Sequence, residues 1–388
     1  MDTRTHGTAA PAATVPGVLL ADVVTCLEAA YPPALAESWD AVGLVCGDPA
    51  ADVRRVLFAV DPVEAVAAQA LEQGAELLVT HHPLYLRGTT TVAASTAKGR
   101  VVHALVRGGC ALYVAHTNAD RADPGVSDAL ADLFDLRDIS PLQPTHAALD
   151  TLAVTVPVPD ADRVRDALLD AGAGQVGSYD RVSWTATGTG RFRPRDGARP
   201  AIGRVGEVET VQEVRIEVVL EPGRRQRVLA AMRAAHPYEE VAFDLHAQVA
   251  QPGRTGLGRV GELPAPLTLR ALTDLAARVL PATGWGVRAA GDPDAVVSRL
   301  AVSGGAGDSV LGAAASSGAQ AFLTSDLRHH PASEAPAGLA LLDAAHWATE
   351  WPWLSVAAAR LSAETGLTAG VSRLVTDPFC LSSRSPHA

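Results

Sequence analysis

Two distant segments of this chain resemble each other, and each ends in side chains that are able to bind metals. Residues 74–80 form a short apolar run that leads into His81-His82, and residues 318–324 form a similar run that leads into Ser325-Asp326. A repeat of this kind predicts two related half-sheets, and ligands gather beyond the carboxyl ends of strands in such sheets. We therefore expect a metal site between two halves of one domain.

A second pair of segments agrees with the first. Downstream of each run comes another apolar strand that ends in a histidine, with an acidic residue four positions later: His116 with Asp120, and His346 with Glu350. On a helix, residues four apart lie on one face, and histidine with carboxylate is a common donor set for divalent first-row metals. The plain alternative for His346 and Glu350 is a partly buried histidine beside a solvated acid.

For Asp120 and His116 the sequence leaves two roles open. Asp120 is a candidate metal ligand, but a carboxylate at this position would also cap the helix that follows. His116 is expected either to orient a ligand from outside the metal shell or to be a core histidine, and we favour the first role.

His81 and His82 are neighbours at a predicted strand end. Adjacent side chains of an extended chain point to opposite sides, so the pair suits two neighbouring metals better than one. The alternative is a pair of loop histidines before Pro83, and the repeat partner argues against it.

The overall composition is that of a globular chain. Its 388 residues exceed one typical core, so two or three domains are expected, and 48% are hydrophobic while 19% are charged. No apolar run is long enough to cross a bilayer. Residues 1–17 are rich in Ala, Thr and Pro, lack the pattern of a signal peptide and are predicted to be a disordered tail.

Charge and cysteine usage narrow the partners and the compartment. The net charge is −11, with 32 basic and 43 acidic residues, so nucleic acid is not an expected partner. The four cysteines, Cys26, Cys46, Cys110 and Cys380, show no CxxC spacing. A reducing cytoplasm is the expected location, without membrane attachment.

Strands alternate with helices in two stretches of the chain, which predicts βαβ units and a parallel sheet. Predicted strands lie at 56–60, 77–80 and 111–115 in the first half and at 300–303, 321–324 and 339–343 in the second. The fold class is therefore α/β, with two related βαβ half-domains, 18–145 and 258–380, that form the metal-site domain.

The middle of the chain, 150–250, breaks this rhythm. Its predicted order is strand 152–156, helix 161–171, strand 182–187, strand 213–220, helix 224–235 and strand 241–246. That order is typical of a ferredoxin-like α+β domain. Pro141 and Pro144 mark its entry and the glycine-rich 251–261 its exit, which predicts an insertion between the two halves.

Three further features bear on function. The glycine-rich segment 303–309 follows a strand and opens a helix, where a tight turn is favoured over an anion site because the Walker lysine is missing. Trp39-Asp40 is either a buried aromatic with a turn or part of a cleft wall. The sequence contains no G-x-S-x-G nucleophile elbow, which removes the most familiar serine hydrolases.

With these motifs the chain closely resembles the dinuclear-metal-centre hexameric family (NGG-interacting-factor-three-like), often labelled GTP cyclohydrolase 1 type 2 homologue, over about Leu19 to Thr376. The matching residues in the two halves are Ser38-Trp39-Asp40, Thr80-His81-His82-Pro83, His116 to Asp120, Thr324 to Arg328 with His330, and Asp343 to Glu350. In the insertion they are Gly172 to Gly174, Gly188 to Gly190 with Phe192 and Pro194, and His236 to Ala242. Ser325 and His329 stand where other members commonly carry Gly and Tyr.

The resemblance implies two divalent metal ions per chain, with the ligands His81, His82, Asp120, His346 and Glu350. His82 and Asp120 would hold one ion, His81 and His346 the other, and Glu350 would bridge them. It also implies a toroidal homohexamer whose metal sites face an internal cavity. Histidine and carboxylate ligands admit zinc, iron, manganese, cobalt or nickel.

The resulting functional hypothesis is a metal-dependent hydrolase, cyclohydrolase-like or acting on phosphoesters, with a small-molecule substrate and metal-bound hydroxide as the nucleophile. Glu350 would serve this chemistry through the metals, and His330 and Asp326 are candidate acid–base residues. The alternative is a non-enzymatic hexamer for metal storage, delivery or regulation. Open coordination positions favour the hydrolase, because storage sites do not need them.

Overall fold

The computed structural model describes residues 17–147, 149–177, 179–249 and 251–383. The predicted tail 1–17 therefore lies outside the described residues, except for Gly17. The chain divides into two compact units, one made of Met1–Thr145 with Arg254–Ala388 and the other of His146–Gly253. No helix in the described ranges is long and apolar enough to span a membrane.

The elements before the insertion alternate between strands and helices much as the sequence predicts. In order they are β1 (Val18–Leu19), α1 (Leu20–Ala30), β2 (Gly43–Cys46), β3 (Asp52–Val53), β4 (Arg55–Ala59), α2 (Glu64–Glu72), β5 (Leu77–Thr80), α3 (Ala97–Arg107), β6 (Ala111–Val114), α4 (Thr117–Arg121), α5 (Val126–Asp132) and β7 (Arg137–Ala147).

The second unit follows the order strand, helix, strand, strand, helix, strand. Its elements are β8 (Asp150–Pro157), α6 (Ala161–Asp170), β9 (Trp184–Phe192), β10 (Glu209–Leu220), α7 (Arg225–Ala235) and β11 (Phe243–Ala247), with 3-10 turns at Val158–Asp160 and Pro222–Arg224. The strands form one antiparallel sheet in the order β11-β8-β10-β9. This is the arrangement of ferredoxin-like domains.

The remaining elements complete the first unit. They are β12 (Gln251–Thr268), α8 (Leu269–Val279), β13 (Val287–Ala290), β14 (Val296–Ala306), α9 (Leu311–Ser316), β15 (Ala321–Ser325), α10 (His329–Ser333), β16 (Ala340–Ala344), α11 (His346–Thr365) and β17 (Thr368–Val371).

Two mixed sheets carry the first unit, which confirms the predicted α/β class. The five-stranded sheet has the order β17-β4-β5-β6-β2, and the six-stranded sheet the order β13-β16-β15-β14-β12-β7. In the first, β4, β5 and β6 run parallel, and in the second β14, β15 and β16 do. The two strands that the sequence pairs as repeats, β5 and β15, both lie inside their sheets.

Apolar side chains cover both faces of the five-stranded sheet. Leu77 and Val79 of β5 pack on the side of α1 and α11, while Leu78 packs on the side of α2 and α3. A parallel strand that is buried on both faces reads as a continuous apolar run. The residue that follows such a strand therefore lies at a sheet edge that is buried in the protein.

The segments that mark the entry and the exit of the insertion form strands. Residues 137–147 and 251–268 are long strands of the six-stranded sheet, and β7 lies at its edge. Pro141 and Pro144 are compatible with β7 because an edge strand tolerates proline, since one side of its backbone needs no partner.

Candidate metal centre

The edge of the five-stranded sheet presents His81 and His82. The backbone N–H of His81 donates to Ala59 O and that of His82 to Val60 O, so the pairing of β5 with the chain of β4 continues past the strand end. The Thr80 hydroxyl donates to His82 O at 2.9 Å and fixes the turn. Both histidines are thus placed by strand register, as the sequence predicts.

The first turns of α11 supply the second pair. The helix begins at His346, directly after β16, and Glu350 lies four residues later. The His346 Nε2 atom is 2.8 Å from Glu350 Oε1, so both side chains share one helical face. The Glu350 side chain is only 4% exposed, which places a carboxylate inside the protein beside several rings.

The two pairs meet. His82 Nε2 lies 3.2 Å from His346 Nε2 and 3.1 Å from Glu350 Oε2, and His81 Nε2 lies 3.4 Å from Glu350 Oε1. These residues stand far apart in the chain, and the fold brings their donor atoms to one point. Together with Asp120, we call them the His/Glu cluster.

Each imidazole of the cluster is held from behind through its Nδ1 atom. Asp61 Oδ1 lies 2.7 Å from Nδ1 of His82, and Asp326 Oδ2 lies 2.7 Å from Nδ1 of His346. His81 Nδ1 donates to the carbonyl oxygen of Ala115 at 2.9 Å. A carbonyl or carboxylate oxygen only accepts, so these contacts put the proton on Nδ1 and aim the Nε2 lone pair into the cluster, as at metal-ligating histidines.

Two donor atoms of the cluster lack a hydrogen-bond partner. His81 Nε2 and Glu350 Oε2 are buried and have no hydrogen-bond partner among the described residues. Facing lone pairs of His82 and His346 repel each other unless a cation or a proton lies between them. Burial of unpaired polar groups is costly, so the residues fit a bound cation.

Electrostatics give the same picture in terms of protonation. Burial alone would lower the pKa of His82, but the charge of Glu350 and the contact with Asp61 outweigh it and raise the pKa to about 10. Glu350, together with Asp326, raises the pKa of His346 to about 11 despite burial. Burial opposes ionisation of Glu350, yet the surrounding imidazoles hold its pKa well below the usual range. The cluster thus attracts positive charge strongly.

Asp120 lies at the far side of His81. Its Oδ1 atom is 3.7 Å from His81 Nε2, and burial raises the pKa of its carboxyl to about 6. Asp120 therefore lies beside His81, and His82 lies beside His346. How the five residues divide between two ions remains a prediction from the family resemblance.

His116 packs its ring edge-on against His81 and His82, with centroid distances of 5.2 and 5.6 Å. Its Nδ1 atom lies 2.9 Å from Asp40 Oδ1. Burial, followed by the charge of His81, lowers the pKa of His116 to about 4, which keeps the ring neutral. Its Nε2 or Nδ1 atom is close enough to His81 and His82 for the three to form a candidate metal group. The orienting role remains a prediction.

Gly305 lies near the end of β14, where the pairing with β15 shifts register between Val302 and Ala306, and it is close to the Glu350 carboxylate. A Cβ atom there would come within 2.4 Å of Glu350 Oε1 and 3.1 Å of His346 Nε2, and the residue has φ +63. Its N–H donates to the Thr349 hydroxyl at 2.9 Å. The segment 303–309, which was predicted to be a tight turn, is strand up to Ala306, and its Gly305 makes room for the cluster.

The two predicted acid–base residues have different positions. Asp326 orients His346 and adopts the left-handed backbone conformation, with φ +57, which is uncommon for non-glycine residues. His330 is in α10, its side chain is 83% exposed, and it lies 3.9 Å from Glu334. The structure does not bring His330 into the cluster.

Sequence reasoning missed Asp61 and left Asp40 undecided. Asp61 follows the end of β4 by two residues, at the same sheet edge as His81, and this position was the available signal. Asp40 accepts from the backbone N–H of Thr117 and bonds His116, so the Trp39-Asp40 motif belongs to the wall of the site. Trp39 lies beside His116 with ring centroids 6.1 Å apart.

A cavity of about 250 Å³ opens beside the cluster. His82, His346, Asp61 and Asp326 line one side of it. The other side is formed by Trp285 and Trp347 and by the C-terminal segment 376–379. The volume is below the roughly 300–1,000 Å³ of pockets for drug-sized ligands, so the cavity suits a molecule smaller than a typical drug.

The fold and the cluster define an α/β protein whose histidines and glutamate can hold metal. The family model of DUF34/NIF3 (NGG1p interacting factor 3) matches residues 18–378. The chain belongs to this family, as the sequence resemblance predicts.

Relatives agree with that assignment. A Mycobacterium tuberculosis protein described as "GTP cyclohydrolase 1 type 2 homolog" is 53% identical over 370 residues, covering 94% of this chain and 97% of the relative. A Bacillus subtilis protein of the same description is 38% identical over 328 residues, covering 84% and 87%. Among solved structures, a Bacillus cereus protein related to NIF3 has a TM-score of 0.74 at 33% identity and covers 95% of this chain and 100% of its own. A Staphylococcus aureus protein has a TM-score of 0.78 at 28% identity, with coverage of 94% and 98%.

Proposed function

We propose that the chain binds two divalent metal ions in the His/Glu cluster and acts as a metal-dependent hydrolase on a small molecule. The observation that carries the proposal is the set of buried donor atoms that face one another without partners, above all His81 Nε2 and Glu350 Oε2. Glu350 Oε1 lies near His81 and His346 and Oε2 lies near His82, so its carboxylate could serve two ions.

The roles of the other residues follow from their contacts. His81, His82, His346 and Asp120 would complete the two coordination shells. Asp61, Asp326 and the Ala115 carbonyl hold the rings with Nε2 pointing inward. Divalent ions held by these residues would supply Lewis-acid chemistry for hydrolysis.

The cavity beside the cluster supports a small substrate. It lies against His82 and His346, so a molecule held there would contact the open side of the cluster. The name "GTP cyclohydrolase 1 type 2 homolog" of the relatives suggests opening of a nitrogen heterocycle, and phosphoester hydrolysis uses the same donor set. Of the two predicted acid–base residues, Asp326 lines this cavity. The hydrogen bond with His346 lowers the pKa of its carboxyl, so Asp326 is our candidate to accept a proton near the reacting group.

A substrate screen tests the hydrolase. Protein loaded in turn with zinc, iron, manganese, cobalt or nickel would be assayed on nucleoside triphosphates and on phosphomonoesters and phosphodiesters, beside the Glu350→Ala variant. We expect turnover that requires metal and falls at least roughly 100-fold in the variant, as removal of a bridging ligand should empty the site. Metal release to a chelating acceptor without any turnover would instead support storage or delivery.

The proposal extends to a homohexamer in the cytoplasm, with the clusters facing an internal cavity. Its basis is membership of the family. Native mass spectrometry of the untagged full chain would yield six copies, and a stable monomer at micromolar concentration would refute the assembly.

A further inference from the structure

Two motifs of the sequence have no part in the metal cluster: 188–194 and 236–242. In the structure they line one cavity of about 790 Å³ within the second unit, and every lining residue belongs to that unit. The cavity lies on the face of the β9–β10 pair that carries Glu213 and Arg215, away from the apolar core beneath α6 and α7. Two separated motifs that meet at one cavity suggest a binding site.

A satisfied polar network fixes one wall of this cavity. His236 Nδ1 accepts the backbone N–H of Tyr238 at 3.1 Å, so His236 Nε2 carries the proton and donates to Thr155 O at 2.9 Å. The Tyr238 hydroxyl donates to Glu213 Oε1 at 3.0 Å. His236 and Glu213 are 7% and 8% exposed. Fully paired buried networks hold their members rigidly, and this one holds the Tyr238 ring in place before any ligand arrives.

Tyr238 and Phe192 together form an aromatic surface. Their ring centroids are 5.5 Å apart at an interplanar angle of 64°. Both rings line the cavity and remain half-buried. An aromatic wall of this kind favours a planar group in the ligand, because offset or edge-on ring contacts add to the gain from burial.

Glycines keep the floor of the cavity open. A Cβ atom on Gly188 would meet no heavy atom within 4 Å, so the missing side chain leaves empty space. A Cβ atom on Gly190 would come within 2.3 Å of Glu213 Oε2. Gly188 thus contributes open space to the cavity, and Gly190 leaves room for the Glu213 carboxylate.

The rim of the cavity is basic. Between 191 and 204 there are five arginines and one acidic residue, whereas the whole chain has a net charge of −11. Arg191, Arg193 and Arg195 line the cavity and make no ion pair with any described residue. Glu239 and Glu240 line it too, and Glu239 accepts the N–H of Arg199.

We propose that this cavity binds a mononucleotide-sized organic anion, with a planar ring against Phe192 and Tyr238 and a phosphate or carboxylate group on the rim arginines. Guanidinium groups bind such anions through paired hydrogen bonds. A volume of about 790 Å³ falls in the range of about 300–1,000 Å³ that small-molecule sites occupy. The concave shape favours a small ligand over a nucleic-acid strand. The site is independent of the metal cluster and of the proposed hydrolysis.

Calorimetric titration of the full chain tests the proposal with AMP, GMP, CMP and UMP as probes. We expect at least one of them to bind with a Kd at or below roughly 100 µM. The corresponding nucleoside and inorganic phosphate should each bind at least about tenfold more weakly, because each lacks half of the recognised groups.

Variants link the binding to this cavity. Gly188→Val places a side chain in the open floor and should abolish binding of that mononucleotide, while Thr185→Val on the same strand, outside the lining, should leave it unchanged. Arg193→Ala should weaken mononucleotide binding about tenfold but hardly change nucleoside binding.

Four results would overturn the proposal. The first is no binding of any of the four mononucleotides. The second is that the Gly188→Val and Arg193→Ala proteins bind mononucleotide as the wild type does. The third is binding of a single-stranded oligonucleotide alone, with steep salt dependence, which would identify a nucleic-acid surface. The fourth is a change of assembly mass in Gly188→Val without mononucleotide binding, which would identify a contact between copies.

Discussion

The strands β5 and β15 occupy matching places in the two sheets of the first unit, but the residues that follow them have different roles. β5 leads into His81 and His82, whose Nε2 atoms enter the cluster. β15 ends in Ser325, whose hydroxyl donates to Gly305 O at 2.6 Å, and continues to Asp326, which holds His346 from behind. One strand end supplies candidate ligands, and the other supplies their supports.

The helices that follow show the opposite distribution. In the first half, α4 carries Asp120, which approaches only His81, and His116 before it packs against the other rings. In the second half, α11 carries both His346 and Glu350 at the centre of the cluster. The similar topology of the two halves therefore places residues at equivalent sheet edges, but the side chains at those positions differ in their chemistry. Four changes test or sharpen this division.

Glu350 should have the largest effect, because it alone contacts His81, His82 and His346. Glu350→Ala is expected to reduce bound metal from about two equivalents per chain to nearly none, while Asp120→Ala should retain about one. Elemental mass spectrometry on protein purified without chelator measures this. Glu364→Ala, on the exposed side of the same helix, is the control. Equal residual metal in the Glu350 and Asp120 variants would rule out the bridging role.

The Gly305→Ala variant tests whether the Glu350 carboxylate needs the space that Gly305 leaves. Gly305→Ala should lower metal content by at least half, since its Cβ atom would displace Glu350 Oε1. The left-handed conformation also costs about 1–2 kcal/mol of folding free energy. Gly366→Ala is a matched control with φ +74 and no atom within 4 Å of the added Cβ. It should lose similar stability but no metal, and metal loss in both variants would contradict the steric explanation.

Asp326 tests the supporting role of the β15 end. Asp326→Asn preserves shape and tolerates positive φ, but it removes the negative charge behind His346. Metal affinity should fall by about 10- to 100-fold, the usual effect of removing such a partner. Competition with a fluorescent chelator gives the affinity. Asp308→Asn, which breaks only the ion pair with Arg328, should leave it unchanged. An unaltered affinity in Asp326→Asn would make the contact incidental.

The insertion should have the smallest effect on the cluster. Replacement of 152–249 by a short Gly/Ser linker is expected to leave metal content within about a fifth of the wild-type value, because no cluster residue lies in that segment. Circular dichroism would verify that the remainder is folded. Loss of metal from a folded remainder would show that the two units are coupled.

Much of the fold was predictable because its signals are local. The buried runs at 77–80 and 321–325 identify β5 and β15, and the His-x-x-x-acid spacing places His346 and Glu350 on one helical face. The strands β7 and β12 were not predictable in this way, since their prolines and glycines are typical of linkers and only the pairing partner makes them strands.

The supporting residues of the cluster were harder to predict. Asp61 carries no motif, and the glycine-rich segment that contains Gly305 predicted only a turn. Their roles arise from atoms that lie far away in the chain: His82 Nδ1 for the first and Glu350 Oε1 for the second. His330 shows the reverse error. It lies within a family motif, yet its side chain points away from the cluster into solvent.

By itself, the sequence determined which residues could serve this site, because strand and helix periodicity places His81, His82, His346 and Glu350 at the ends of buried elements. Tertiary structure alone decided which atoms face one another, which ring nitrogen keeps its proton and which carboxylates stand behind the rings. The physical reason is that hydrogen bonds and charge interactions act over a few ångströms. A chain of 388 residues specifies such distances only after its two half-sheets have packed together.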